Sequence, residues 1–455
     1  MSKLKYESPS IKQINAGITS KFGESSTLKP ITHINTVPVK DLIKTYGSPL
    51  FVISEQSIRN TYKDAYNAFS TRYPNVQFAW SYKTNYLDAV CRVFHQEGSW
   101  AEVVSGFEYK KALKNGVSGD KILFNGPDKS DKDLILAVQH NSPIHIDHFD
   151  ELYSLIEITG KLDKRAKVAI RVNMDTGIKP LWDRFGFNYE NGQAWEAITK
   201  IMYSKNLDLV GLHTHIGTFI LEPNAYYIAA TKLADLALHI KKKHKHDIQY
   251  IDMGGGFASK NTLKGSYLSG MEISPSFNEY AEKITSALLN AGFSTEDLPL
   301  LILETGRALI DDAGYLLGTV LANKRLSDGR RSMIMDFGVN LLFTSFWYNH
   351  IISPAQECSV YTEDTVMYGP LCMNIDIIRD SINLPPLNKG DNVVVQRVGA
   401  YNMTQWMQFI TLRPKVVMID LDGKPHLIRD SETNEYVTAL DRIPAHLEAI
   451  DLEIV

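Results

Sequence analysis

The sequence contains little cysteine and no long hydrophobic run. Its 455 residues include only Cys91, Cys358 and Cys372, which are too few and too scattered for a disulfide framework or a four-cysteine zinc site. No apolar run approaches the roughly 18 residues that cross a bilayer, and the start MSKLKYESPSIKQ has no apolar signal-peptide core. These absences predict a cytoplasmic protein with reduced thiols and no membrane partner.

An excess of either charge is also absent. The 48 lysine and arginine residues nearly balance the 52 aspartate and glutamate residues, which gives a formal net charge of −4. The basic run 241–245 follows an apolar helical stretch, where cations suit a helix C-terminus, so we expect no nucleic-acid partner. With 44% hydrophobic residues the chain can bury large cores, and its length predicts several domains or one large barrel with additions.

Strand-like and helix-like segments alternate between Pro49 and Gly306. This alternation is typical of β/α units around a parallel sheet. The number of units favours a (β/α)8 barrel, although a doubly wound sheet gives similar local signals. In a barrel the carboxyl ends of the strands share one face, where polar residues can meet in one pocket. The candidate strands are 49–54, 76–82, 100–105, 121–125, 143–148, 167–173, 209–217, 248–256 and 298–306.

After Gly306 the helical periodicity fades and strand-like runs dominate. Near the end, Asp422 and Gly423 predict a hairpin turn between two alternating runs. We therefore predict that residues 1–48 contribute to a β domain, that 49–310 form the barrel, and that 311–455 form the β domain. No long flexible linker separates these parts, so we expect them to pack closely.

Two of the strand ends carry titratable side chains. Lys83 ends the apolar strand in FAWSYKTNY, where partial desolvation lowers proton affinity and favours Schiff-base chemistry; a solvated lysine just past a strand is the simpler interpretation. HTHIG places His213 and His215 on one side of a strand. There they can bind zinc, stack on a flat cofactor ring, or lie in the core with their hydrogen bonds satisfied. No HExxH motif or cysteine set accompanies them, so we expect no metal.

Three more motifs have both a chemical and a structural interpretation. The glycines of DMGGGF, Gly254 to Gly256, either cradle a phosphate or make a tight turn. In ETGR, Glu304 can keep a pyridine nitrogen protonated and Arg307 can hold a phosphate or carboxylate, or the two can form an ion pair. In GPLC, Cys372 is either a reactive thiol or a small buried side chain, and Asp376 follows it.

Read in chain order, these motifs resemble a known family. YKTN, SGFEYKKAL, HTHIGT, DMGGGF, ETGRALI, GPLCMNID and GAY are similar to the fold-type III pyridoxal-phosphate decarboxylases, and closest in pattern to the diaminopimelate enzymes among the diaminopimelate, ornithine and arginine decarboxylases. The resemblance implies an alanine-racemase-like α/β fold, in which a (β/α)8 TIM barrel precedes a C-terminal β-sandwich or β-barrel domain. It also implies pyridoxal 5'-phosphate as cofactor and a homodimer with shared active sites.

The resemblance also implies roles at the cofactor. Lys83 forms the Schiff base with it, and His215 stacks on its ring. Gly254, Gly255 and Gly256 hold the phosphate together with the region of Gly306. Glu304 pairs with the pyridine nitrogen.

On the substrate side, the resemblance places Arg307 and Tyr401 near the phosphate or the substrate carboxylate. Tyr348 stands where a family tyrosine is expected, and Asp376 belongs to the decarboxylase motif that carries Cys372. The partner subunit's Cys372 protonates the carbanion that decarboxylation leaves. The amino-acid substrate is thus bound between two chains.

Two departures from the family pattern concern substrate choice. The family has Cys-Glu-Ser or Cys-Asp where this chain has Cys372 and Met373, and Met373 cannot accept a hydrogen bond from a distal ammonium group. Thr344 and Ser345 replace an Arg-Pro whose arginine binds a substrate carboxylate. Each lost charge-assisted contact is worth on the order of 1.5 to 3 kcal/mol. We therefore predict a substrate that differs from meso-diaminopimelate at its far end, such as a conjugated diamino acid of specialised biosynthesis.

Two other functions remain open at this point. An amino-acid racemase shares the barrel, the cofactor and a lysine like Lys83, but the GPLC motif with Asp376 favours a decarboxylase. A non-catalytic homologue with a regulatory role is the other alternative, and the presence of Lys83, His215 and Cys372 argues against it.

Overall fold

Eight parallel strands close into a barrel. Each strand pairs in parallel with the next, and the last pairs with the first. This closure confirms the predicted barrel, because a doubly wound sheet keeps two open edges. The strands are Val76–Ser81, Trp100–Val103, Ile122–Phe124, Ile144–Ile146, Ala166–Asn173, Leu207–His213, Tyr250–Asp252 and Leu300–Leu303.

The computed structural model describes residues 29–359 and 361–447. Residues 1–28 of the predicted N-terminal segment, together with Val360 and residues 448–455 of the predicted β domain, lie outside the described residues. Within the described ranges, none of the helices combines the length and the apolar character needed to cross a membrane.

The main helices are amphipathic and pack their apolar sides on the strands. Several begin at a serine whose hydroxyl oxygen accepts a hydrogen bond from a backbone N–H of the first turn, as Ser105 does from Glu108. The long helices are Glu55–Ser70, Asp88–Gln96, Gly106–Lys114, Asp131–Gln139, Phe149–Leu162, Gln193–Tyr203, Asn224–His244 and Phe277–Asn290. Shorter ones are Val39–Tyr46, Gly270–Ile273, Arg307–Ile310 and Asn434–Thr438, with 3₁₀ turns at Tyr82–Thr84, Gly119–Lys121, Asp311–Ala313, Phe343–Phe346 and Ala445–Leu447.

The inside of the barrel is filled with side chains. Tyr250 is the largest of them, and its ring occupies the space that a side chain on the neighbouring Gly211 would need. A packed interior leaves only the strand ends for chemistry. The interior layer consists of Ala79, Leu123, Ala169, Val210, Tyr250 and Ile302, one from each of six strands.

A second, mostly antiparallel sheet packs beside the barrel. Its order is Ile377–Leu384, Glu363–Tyr368, Arg331–Met335, Gly314–Arg325, Leu50–Ser54, Val416–Ile419 and Pro425–Arg429. Asn392–Gln396 pairs with Gly314–Arg325 and with Ile352–Pro354. The last two strands of the order are antiparallel and are joined at Asp422 and Gly423, which confirms the predicted hairpin. Short strands are His33–Ile34, Val37–Pro38 and Phe187–Asn188.

One strand prediction is wrong. Residues 49–54 were expected in the barrel, but Leu50–Ser54 lies between Gly314–Arg325 and Val416–Ile419 in the second sheet. All five residues are buried, and a strand buried on both faces has the same continuous apolar pattern in either sheet. Leu50 and Val52 pack with Ile34, Val39 and Leu42, so the described part of segment 1–48 contacts this sheet. The domain limits themselves stay predictions.

Candidate active site

A cavity of about 420 Å³ opens at the carboxyl ends of the barrel strands. The barrel provides most of its wall, and Trp347, Tyr401 and Gln405 of the second domain complete it. It brings together most of the residues that the motifs predicted for the cofactor. They are Lys83, His215, Gly256, Glu304, Gly306, Arg307 and Tyr401.

Lys83 faces the cavity and forms an ion pair at its base. It lies in the 3₁₀ turn that follows Val76–Ser81, and its Nζ is 2.7 and 2.6 Å from Oε1 and Oε2 of Glu102. Its side chain is 37% exposed, whereas that of Glu102 is fully buried. Burial lowers the pKa of Lys83, but the charges of Glu102 and Glu304 raise it more, so the net shift is upward. The expected loss of proton affinity is therefore not found; the amine is held as a cation.

Glu304 connects to Glu102 through a shared amide. Asn125 follows the strand Ile122–Phe124, and its Nδ2 donates to Oε1 of Glu304 at 2.5 Å and to Oε1 of Glu102 at 3.1 Å. On the other side, Oε2 of Glu304 lies 3.3 Å from Nε2 of His213. Glu304 is only 4% exposed and lines the cavity. Its fixed, buried carboxylate can accept a hydrogen bond from a protonated ring nitrogen in the cavity.

His215 presents a neutral imidazole to the cavity. Its Nδ1 accepts a hydrogen bond from the backbone N–H of Gly255 at 3.1 Å, which leaves the proton on Nε2. Burial lowers the pKa of His215 well below its ordinary value, and the cations Arg171 and Lys83 lower it further. A neutral ring fixed in this way can pack against a flat cofactor.

The three glycines allow a close backbone approach. Gly254 has φ +63°, and a Cβ there would lie 2.5 Å from the carbonyl oxygen of Thr214. A Cβ on Gly255 would lie equally close, at 2.5 Å, to the carbonyl oxygen of Glu304. No larger residue fits this crossing of three strand ends. The tight turn and the phosphate role both stay predictions.

Arg307 offers an unsatisfied cation to the cavity. Its Nη1 is buried and has no hydrogen-bond partner among the residues that the structure describes. Its guanidinium lies over the ring of Tyr401, with 4.5 Å to the centroid, and 5.4 Å from the ring of Tyr348. Nη2 reaches Thr218 Oγ1 at 3.4 Å. A partly desolvated guanidinium held by aromatic rings fits a phosphate or carboxylate ligand.

Five of the residues predicted on the substrate side do not line the cavity of the chain, and neither do Gly254 and Gly255. Cys372 is exposed to solvent, and Met373 packs at the edge of the hydrophobic core. Asp376 is buried and accepts hydrogen bonds from the N–H groups of Val339 and Leu371, both at 2.8 Å. Asp376 therefore fixes the loop that carries Cys372.

Thr344 is also directed away from the cavity. It is 1% exposed, and its Oγ1 donates to Asn402 Oδ1 and contacts His350 Nε2, both at 2.8 Å. Tyr348 is nearly buried too, and contacts the site through Arg307 and Phe219. The substrate roles of these residues stay predictions.

The sequence interpretation missed several wall residues. Glu102 and Asn125 stand at strand ends, and that position was the available signal. Arg171 comes from the middle of a strand pattern. Trp182 and Phe185 lie in the irregular segment 174–186, where no periodicity marks them.

Comparisons with known proteins show which family this chain resembles. The family described as "Pyridoxal-dependent decarboxylase, pyridoxal binding domain" matches residues 56–311. The chain is 30% identical over 418 residues to the diaminopimelate decarboxylase of Methanothermobacter thermautotrophicus, covering 90% of this chain and 94% of that protein. The Bacillus subtilis enzyme of the same name is 29% identical, with 88% and 92% covered.

Solved structures agree as well. The diaminopimelate decarboxylase of M. jannaschii superposes with a TM-score of 0.83 at 27% identity, covering 93% of this chain and 99% of that one. The same enzyme in complex with L-lysine has a TM-score of 0.83, with 91% and 96% covered.

Proposed function

The chain belongs to the pyridoxal-dependent decarboxylases, and from that membership we propose which of its residues perform the reaction and which substrates its cavity accepts. It is a pyridoxal-phosphate-dependent amino-acid decarboxylase of the diaminopimelate decarboxylase type. The relatives confirm the cofactor that the sequence motifs implied.

The residues of the cavity fit this cofactor. When bound, pyridoxal 5'-phosphate supplies an electron sink for the negative charge that develops at Cα as CO2 leaves. Glu304 would hold the proton on the pyridine nitrogen, and the neutral ring of His215 would pack against the flat cofactor. The backbone of Gly254 to Gly256 and of Gly306 would hold the phosphate. The orphaned Nη1 of Arg307 supports an anion at this end of the cavity.

Lys83 is the covalent anchor. This proposal rests on one observation. Hydrogen bonds join four residues into a single chain: Lys83, Glu102, Asn125 and Glu304. Glu102 holds the Lys83 amine at a fixed point, 2.6 Å away, and the amine must give up its proton before it can act as a nucleophile. Tyr401 orients Arg307 through its ring, so that the guanidinium can bind the substrate carboxylate.

The substrate differs from meso-diaminopimelate at its far end. Among the described residues, the only carboxylates on the cavity wall are Glu102 and Glu304, and both are engaged at the cofactor end. Trp182, Phe185 and Trp347 give the rest of the wall an aromatic character. Such a wall favours a neutral or acylated far end over a free ammonium group, which supports a conjugated diamino acid.

A homodimer completes the site. Cys372 is exposed on its own chain, outside the cavity, and therefore serves as proton donor only from a second chain. The partner subunit's Cys372 and Met373 then close the substrate side, and Asp376 fixes the loop that carries them. Thr344 shapes the wall near Tyr348 and Trp347 and does not itself contact the substrate.

Carbon dioxide release tests the proposal. The loaded protein is assayed with meso-diaminopimelate, D- and L-lysine, ornithine, arginine and diamino acids acylated at the far end. We expect release from an acylated member at a higher kcat/KM than from meso-diaminopimelate. A preference for meso-diaminopimelate contradicts the altered far end. Loss of optical activity at Cα without CO2 release identifies a racemase instead.

A further inference from the structure

A buried group of four titratable side chains lies behind the cavity wall. We call His145, His213, Asp252 and Glu304 the buried quartet. Each comes from a different barrel strand or its end, and one nitrogen or oxygen of each lies within 4.8 Å of those of the others. None is more than 4% exposed. His213 and Glu304 reach the cavity, while His145 and Asp252 lie deeper.

Hydrogen bonds join the quartet to its surroundings. The hydroxyl of Tyr250 and Nε2 of His145 are 2.9 Å apart, and the rings of His145 and His213 are 4.8 Å apart. His213 in turn lies 3.3 Å from Glu304. Asp252 Oδ1 accepts a hydrogen bond from the N–H of Gly254 at 2.8 Å. A chain of contacts thus leads from Tyr250 to the carboxylate that faces the cavity, and between the two imidazoles the link is a ring contact, not a hydrogen bond.

The same four residue types also suit a metal ion, so the two possibilities must be weighed. Protein donors already occupy several of the possible ligand atoms: Asn125 donates to Glu304, Gly254 donates to Asp252, and Tyr250 contacts Nε2 of His145. A zinc site needs free lone pairs. His145 Nδ1, both ring nitrogens of His213 and Asp252 Oδ2 have no hydrogen-bond partner among the described residues, so the contacts alone do not separate shared protons from a metal ion, and the zinc measurement below does.

The charges around the quartet support protons. Burial raises the pKa of Asp252 well above its ordinary value, and the charge of Glu304 raises it further, with Glu102 adding to the effect. Burial lowers the pKa of His145 and His213 well below the ordinary value, and Arg171 and Lys129 lower both further, with Lys83 adding to the effect on His213. Asp252 is then a neutral acid, and both imidazoles are neutral.

We propose that the buried quartet, together with Tyr250, is a proton-sharing network that positions Glu304 and directs its carboxylate at the ring nitrogen of the cofactor. The proposal rests on the role of Glu304 given above. Asp252, His145 and Tyr250 are positioning residues, because they act through Glu304 and His213. Their contribution is to hold the Glu304 carboxylate in a fixed place from which water is excluded.

The first test uses the cofactor-free protein and does not depend on activity. Asp252→Asn keeps the shape of the side chain and is neutral at every pH. If Asp252 is neutral in the folded wild type, ionisation favours the unfolded chain as the pH rises. The unfolding midpoint of the wild type should therefore fall, relative to that of the variant, as the pH rises above the ordinary carboxyl pKa. A constant difference between the two proteins overturns the proposal, and so does stoichiometric zinc in the purified wild type.

The second test reads the cofactor spectrum, and it also covers the case in which Asp252→Asn does not fold. Tyr250→Phe removes one hydroxyl at the end of the network. We expect about five-fold weaker cofactor binding, the factor that one hydrogen bond is worth, and a shifted pH midpoint of the cofactor absorbance. Tyr109→Phe is the matched control, because Tyr109 is a buried tyrosine whose hydroxyl lies 2.6 Å from Ser142, outside the cavity.

The outcomes of the two tests are distinguishable. An unchanged spectrum, midpoint and affinity in Tyr250→Phe contradict the network, as does an equal effect of Tyr109→Phe. A wild type that binds no pyridoxal phosphate contradicts the proposed function instead, and the pH dependence of the cofactor-free protein then still decides whether Asp252 is neutral.

Discussion

The backbone nitrogen of Tyr401 donates a hydrogen bond to the carbonyl oxygen of Thr84 at 2.9 Å. Thr84 follows Lys83 directly, so this bond fastens the second domain to the turn that carries the lysine. Tyr401 has φ +61°, a left-handed backbone that directs its ring towards Arg307. The second domain is thus part of the site, and the barrel alone does not hold Arg307 in place.

Glu304→Gln should lower kcat on the order of 100-fold, about 2.7 kcal/mol, because a neutral amide does not hold a proton on the ring nitrogen. The affinity for the cofactor should change much less. Steady-state kinetics and the cofactor absorbance measure the two effects. Glu432→Gln is the control, since Glu432 is a buried carboxylate paired with Arg413 at 2.9 Å outside the cavity. Equal losses in both variants would mean that Glu304 acts only through stability.

Glu108 should make the protein less stable as the pH rises. Burial raises the pKa of Glu108 to about 7, although the N–H of Val104 donates to its carboxylate. The folded protein therefore favours the neutral acid, and its stabilising effect is lost as the pH rises from the ordinary carboxyl pKa through about 7. Relative to Glu108→Gln, the wild type should lose on the order of 3 kcal/mol of unfolding free energy between pH 4 and pH 8.

Denaturant unfolding at several pH values measures this loss. Glu157→Gln is the control, because Glu157 is exposed and pairs with Lys161 on the surface. A wild type and a Glu108→Gln variant with parallel pH profiles would show that Glu108 is ionised in the folded protein.

Trp182→Ala should weaken the far-end contact of the substrate. The Trp182 ring lines the cavity and lies 5.4 Å from the ring of His215. Its removal should raise KM for an acylated diamino acid about ten-fold, while kcat changes little. Trp195→Ala serves for comparison, since Trp195 packs against His239 on the outer helices. If KM stays the same, the far end of the substrate binds elsewhere.

Mixing two inactive variants tests the shared site. In a Lys83→Ala and Cys372→Ala heterodimer, one of the two sites has both Lys83 and the partner subunit's Cys372. Co-refolding should therefore restore up to about a quarter of the wild-type activity. The separate variants supply the baseline. Absence of any recovery, with heterodimers present, argues that each chain uses its own thiol.

Local sequence patterns identified most of the cofactor end. Lys83, His215, Glu304 and Arg307 each stand where a strand ends, and parallel strands bring their carboxyl ends to one face. The same rule also covers Glu102 and Asn125. Polar residues near strand ends are common, however, and these two are recognised only by the hydrogen bonds that they make in the folded protein.

The substrate end was predicted less well. Thr344 and Asp376 were chosen by motif position, yet their side chains make buried hydrogen bonds to Asn402, Val339 and Leu371. Motif position fixes where a residue stands along the chain, but the direction of its side chain depends on the packing of the β domain.

The sequence by itself determined the alternating β/α units, the polar residues at the strand ends and the family, because periodicity and motif order are local properties. Only the tertiary structure decided that Leu50–Ser54 joins the second sheet, that Asn125 links Glu102 to Glu304, and that His145 and Asp252 lie behind the cavity. These are contacts between residues far apart in sequence. They form when the strands close into a barrel and bury charged groups together, and no local pattern encodes that closure.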